Sequence, residues 1–156
     1  MKNFYKNIFD EISNLLNQSD ISSLDKIAKT LIKINKNKNK VIIFGNGGSA
    51  AISSHVSVDL TKNAKVRCIN FNEADLLTCL SNDFGYEKVF SKALEFYADR
   101  GDVVIIVSSS GKSKNILEAA KFCKKKKIVL FTLTGFSKSN PLISSPYNNI
   151  ICSLDI

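Results

Sequence analysis

Apolar positions along the chain change period repeatedly. From Phe4 to Leu16 they fall at Phe4, Ile8, Ile12, Leu15 and Leu16, the spacing of one helix face. Asp20 or Ser22 suits an N-cap. The residues beyond, Leu24, Ile27, Ala28, Leu31, Ile32 and Ile34, predict a second helix with an apolar inner side. The helical period then stops at "VIIFG" (41–45). This unbroken run, rich in β-branched residues, is what a strand buried on both faces requires. A third helix is predicted from about Ser49 to Thr61.

The alternation continues to the last residue. "VRCINF" (66–71) reads as a strand and "EADLLTCL" (73–80) as a helix. "NDFGYEKVFSKALEFYA" (82–98) starts as a turn and continues as an amphipathic helix. "GDVVIIVSSS" (101–110) repeats the first pattern of turn, buried strand and small polar residues. "KSKNILEAAKFCKKK" (112–126) is helical, and "KIVLFTLTG" (127–135) is a strand closed by a turn. "NPLISSP" (140–146) holds both prolines and reads as loop or a broken helical turn. "NNIICSLDI" (148–156) is a last strand.

Buried strands alternating with helices define an α/β fold. The expected architecture is a doubly wound, five-stranded parallel sheet with helices on both faces. Residues 1–156 form one expected domain, with N-terminal helices over 1–39 and an α/β core over 40–156. Ligands of such sheets bind at the C-terminal strand edges, near the switch in strand order. "GNGGSA" (45–50) and "SSSGKS" (108–113) both leave C-terminal strand ends, so both are placed to face one site.

Composition narrows the picture. With 156 residues and 44% apolar content, a core-bearing globular chain is expected. No apolar run approaches the ~20 residues of a membrane span. The N-terminus mixes acids with bases and lacks an apolar leader core, which points to the cytoplasm. The four cysteines, Cys68, Cys79, Cys123 and Cys152, form no C-x-x-C pair, and there is one histidine. Free, mostly buried thiols are expected, with Cys152 in the core.

The net charge of +8 concentrates in "KINKNKNK" (33–40) and "KKKK" (124–127). Both runs fall where helices end, so solvated lysines complementing helix dipoles explain them. No aromatics interleave with them, and no nucleic-acid partner is expected.

The loops carry the chemistry. "GNGGSA" matches G-x-G-x-x-A, but a dinucleotide site also needs an acid at the end of the second strand. That strand ends in Asn70, Phe71 and Asn72, with Glu73 just beyond, and the motif alone is weak. "SSSGKS" is not a Walker A loop, because Ile106 stands where the first glycine belongs. Ser108, Ser109, Ser110 and Ser113 gather hydroxyls and backbone N–H groups at a helix start, where the dipole favours an anion. Capping explains one serine, not four. A phosphate monoester on a small polyol fits better.

Taken together, "FGNGGSAAISSH", "LSNDFGYEKVFSKALE", "GDVVIIVSSSGKSKNILEAAKFCKKK" and "VLFTLTG" resemble the sugar isomerase (SIS) domain family, in particular its phosphoheptose isomerase branch. The resemblance runs in order from about Phe4 to Ile156. It implies a flavodoxin-like fold that isomerises sedoheptulose 7-phosphate to an aldose heptose 7-phosphate. It also implies a homo-oligomer, tetramer or dimer, with sites between subunits.

By the same resemblance, Ser108, Ser109, Ser110 and Ser113 hold the phosphate, while Asn46, Gly47, Gly48, Ser49, Asn82 and Asp83 line the sugar site. His55 matches a zinc ligand and Asp59 the catalytic base, a position at which the family normally has glutamate. Both are candidate catalytic and metal-binding residues, and zinc is the candidate cofactor. The family continues into a helix with a glutamine and a histidine that complete the metal site, whereas this sequence stops at Ile156. A non-catalytic phosphosugar sensor is therefore the alternative expectation. A DNA-binding regulator would need a further helix-turn-helix module, and residues 1–39 read as two helices of the domain.

Overall fold

The computed structural model describes residues 2–135, 139–144 and 150–155. Two helices, α1 (Lys2–Asn17) and α2 (Ile21–Lys36), precede β1 (Val41–Gly45) and α3 (Gly48–Lys62). Then come β2 (Cys68–Asn70), α4 (Ala74–Phe84), a 3-10 turn at Tyr86–Lys88 and α5 (Val89–Tyr97). The chain continues through β3 (Val103–Ser108), α6 (Lys114–Lys126), β4 (Val129–Thr134), α7 (Pro141–Ser144) and β5 (Ile150–Asp155).

The five strands lie in the order β2-β1-β3-β4-β5, and every pair is parallel. The order reverses between β1 and β3, so the switch point falls at their C-terminal ends. Their register sets Gly45 beside Val107 there. Alternate strand residues feed two cores. Ile42, Phe44, Val104, Ile106 and Leu130 pack with residues of α4, α5 and α6, and Phe44 stacks on Phe90 at 4.5 Å. Val41, Ile43, Val103, Ile105 and Phe131 pack on the other face with Ile34 of α2 and Val56 and Leu60 of α3.

Four expectations need correction. The apolar side of α2 is not an inner side within one chain. Ile34 is buried, Ile27 and Leu31 are half-buried, and Leu24, Ala28 and Ile32 are exposed. Helix α1 shows the same exposure at Phe4, Phe9, Ile12 and Leu16. A periodic pattern records that a face is apolar, not what covers it.

Second, Asn82 and Asp83 are not in a turn but on the last turn of α4. Gly85, at φ 82°, ends that helix.

Third, Lys40 is no solvated helix-end lysine. Its ammonium lies 2.5 Å from Asp102 and 2.6 Å from Asp99, and the Asp102 side chain is 1% exposed. Asp102 also accepts from the Lys40 and Asp99 backbone N–H groups. Burial alone would raise the Asp102 pKa, but these hydrogen bonds outweigh it and hold the carboxyl below its ordinary value. Burial likewise pulls the Lys40 pKa down, and its two carboxylate partners more than restore it.

Fourth, the described thiols are not mostly buried. Cys123 is buried, Cys68 is half-buried and Cys79 is exposed. Cys152 lies outside the described side chains. Among the described residues no helix is long and apolar enough to cross a membrane.

Candidate functional site

The β3–α6 loop is built around a positive-φ glycine. Gly111, at φ 59°, is buried, and a Cβ there would collide with the Asn140 side chain. This turn folds the loop back on itself, and the Gly111 N–H meets both the backbone oxygen and Oγ of Ser108 at 3.2 Å. Ser108 is buried, Ser109 is exposed, and Ser110 and Ser113 are half-buried. Ser110 Oγ accepts from the Lys112 N–H at 3.3 Å. From the neighbouring loop the Gly135 N–H donates to the Ser109 backbone oxygen at 3.0 Å.

Ser113 is the N-cap of α6, yet its side chain makes no capping bond. Its hydroxyl stands at a helix N-terminus, where the dipole favours an anion. Lys112, exposed beside it, adds positive charge.

One strand away, the loop after β1 turns at Gly47 (φ 55°), the N-cap of α3. Asn46 is tied across to α6: its Nδ2 donates to Asn115 Oδ1 at 2.9 Å, and its Oδ1 accepts from Asn115 Nδ2 at 3.0 Å. Tyr86 donates from its hydroxyl to the same Asn46 Oδ1 at 3.1 Å. The structure therefore joins three motifs at one edge: the glycine loop, the serine loop and the segment after Asn82 and Asp83. Asn82 Nδ2 donates to Asp83 Oδ1 at 3.0 Å, and both residues are exposed. Gly48 is exposed and Ser49 half-buried at the start of α3.

Sequence reasoning missed Asn115 and Tyr86. A signal existed for Asn115: it shares the spacing of Ala119 and Cys123 on the buried face of α6, where a polar residue needs a partner. Nothing in the sequence pointed to Tyr86.

His55 and Asp59 are brought together with each other, and among the described residues neither bonds to the serine loop. His55 Nε2 lies 3.4 Å from Asp59 Oδ2, with side chains 80% and 51% exposed. Asn63 Nδ2 donates to the other Asp59 oxygen at 3.0 Å. Asp59 lies about 16 Å along α3 from Gly48 at a rise of about 1.5 Å per residue. A catalytic zinc site takes three protein ligands. Among the described residues no group of three or more His, Cys, Asp or Glu side chains could hold a metal. The pair alone does not fit a zinc ion, falling one ligand short of a catalytic site.

Fold and site together define a doubly wound α/β protein with a serine- and glycine-rich loop at the switch point. The SIS domain family profile matches residues 3–135. The chain belongs to the SIS domain family.

Phosphoheptose isomerase 2 of Campylobacter jejuni is 35% identical over 131 residues, which cover 79% of this chain and 64% of that protein. Phosphoheptose isomerase of Cytophaga hutchinsonii is 36% identical over 130 residues, covering 80% of this chain and 68% of its own. The match thus spans about two thirds of these relatives' length. The structure of phosphoheptose isomerase from Neisseria gonorrhoeae superposes with a TM-score of 0.87, at 24% identity, over 99% of this chain and 86% of that one.

Proposed function

We propose that this chain binds a sugar phosphate and interconverts its ketose and aldose forms, with sedoheptulose 7-phosphate as substrate. The observation that carries the proposal is the β3–α6 loop, whose N-cap Ser113 leaves its hydroxyl out of the helix cap. The phosphate sits among Ser108, Ser109, Ser110 and Ser113 at the α6 N-terminus. Asn46, Gly47, Gly48, Ser49, Asn82 and Asp83 receive the polyol, since each buried hydroxyl needs a partner. The names of the relatives support the substrate class.

Isomerisation moves a proton between adjacent carbons through an enediol, which takes a base and an acid. Asp59 is the proposed base, and His55, its neighbour on α3, the acid. Both are far down the helix and outward-facing, so they serve the serine loop of a second copy. The apolar faces of α1 and α2, exposed at Phe9, Leu16 and Ile32, are the surfaces through which copies assemble into a homo-oligomer.

Turnover of sedoheptulose 7-phosphate by purified protein tests the reading, with Asp59→Asn as its control. We expect kcat to fall about a hundredfold or more in that variant; unchanged turnover removes Asp59 from the chemistry. Mass in solution tests the assembly: Phe9→Lys with Leu16→Lys should yield monomers and abolish turnover while sugar-phosphate binding persists.

A second reading is favoured by one observation, that the exposed His55–Asp59 pair bonds to each other and to Asn63 but to no serine of the β3–α6 loop. It is a phosphosugar-binding sensor without catalysis. Binding without turnover would select it.

A further inference from the structure

The amide pair at the switch point has a fixed polarity. A backbone N–H only donates, so the Ile116 N–H, 2.9 Å from the Asn115 side chain, must meet its oxygen. That one contact orients the whole group. Asn115 Oδ1 then also accepts from Asn46 Nδ2, and Asn115 Nδ2 donates to Asn46 Oδ1. Tyr86 supplies the second donor to Asn46 Oδ1. A carbonyl oxygen has two lone pairs, so both amide oxygens are saturated. Among the described residues, the second Nδ2 hydrogen of Asn46 has no partner.

Asn115 is 2% exposed and held in the first turn of α6, whereas Asn46 is half-exposed at the end of β1. Asn46 is therefore the member that faces a ligand, and it faces it as a donor. Without the lock either end of the amide, acceptor oxygen or donor nitrogen, could face the ligand.

We propose that Asn115 and Tyr86 are positioning residues that hold Asn46 with its N–H toward an acceptor oxygen of the bound sugar phosphate. The inference rests on the proposed sugar-phosphate reading and adds to it two residues and a direction. A site so polarised favours a carbonyl, phosphate or enediolate oxygen over a group that needs to donate.

The test is side-chain amide NMR on the full chain, titrated with sedoheptulose 7-phosphate, beside calorimetric binding. The expected result is a shift of one Asn46 Nδ2 proton on ligand addition, the other already protected from exchange in the free protein. Tyr86→Phe should weaken binding or lower kcat about threefold to tenfold with an unchanged melting temperature, because Tyr86 is largely exposed. Asn115→Leu should cost more, and adding Tyr86→Phe to it should cost nothing further, since both act through Asn46.

Binding by the wild-type chain with no movement of the Asn46 proton overturns the inference while the functional reading stands. Additive losses in the double variant do the same. Absence of any binding overturns both.

Discussion

The two edges of the parallel sheet are built on opposite rules. At the N-terminal edge, Lys40 and Asp102 flank the starts of the adjacent strands β1 and β3, and every polar group shown there is consumed. Asp102 takes an ammonium and two backbone N–H groups, and Lys40 spans two carboxylates. At the C-terminal edge the same two strands end in loops that leave groups uncommitted: the Ser113 hydroxyl, which does not cap α6, and one Asn46 N–H. One edge secures strand register, and the other holds chemistry ready. The difference explains why a doubly wound sheet tolerates variation at its ligand edge: the strands are fixed from the far end.

The largest test of this contrast is Asp102→Ala. It leaves the nearly buried Lys40 with the exposed Asp99 as its carboxylate partner and strips two backbone N–H groups of their acceptor, and we expect a loss of about 3–5 kcal/mol in urea unfolding. Sugar-phosphate affinity of the folded fraction should not change. Parallel losses of stability and affinity would break the separation of the two edges.

Gly111→Ala comes next. It forces a Cβ into a left-handed position against Asn140 and should cost about 1–3 kcal/mol. Unlike Asp102→Ala, it should also abolish phosphate binding, read by calorimetry.

Acid titration sharpens the point. The folded Asp102 pKa is held below its ordinary 3.8, so its contribution is complete above that value. It is lost as pH falls through the lower, folded value. Wild type should therefore lose more stability between pH 5 and pH 2 than Asp102→Asn, by denaturant unfolding at each pH.

The smallest stability effect belongs to Ser113→Ala. An engaged N-cap side chain is worth ~1 kcal/mol, but this one is not engaged, so the loss should stay below about 0.5 kcal/mol. Phosphate affinity should nonetheless fall about tenfold. A full capping loss with unchanged affinity would make Ser113 a structural cap.

What the sequence showed follows the same division. The strands announced themselves, because β1 and β3 are buried at every residue and nothing but unbroken apolar runs fits there. The two loops were legible because glycine and clustered serines after a strand have few other uses. Lys40 was misread because it sits in a lysine run. Its partner Asp102 is 62 residues away and meets it only through strand register. Asn115 and Tyr86 escaped for the same reason, being joined to Asn46 by tertiary contact. The apolar side of α2 looked like an inner side, since periodicity marks a face as apolar without saying what covers it.

The uneven burial of Cys68, Cys79 and Cys123 makes these three thiols differ in reactivity. Burial pushes the Cys68 and Cys123 thiols up to about 12. At neutral pH their reactive thiolate fraction is roughly one in a hundred thousand. Cys79 is exposed, and its sulfur lies 3.8 Å from an oxygen of Asp83. Of the three cysteines whose side chains are described, a maleimide dye would attach to Cys79. A change in its brightness on adding sedoheptulose 7-phosphate would test the proposed sugar site at Asp83 without any engineered label position.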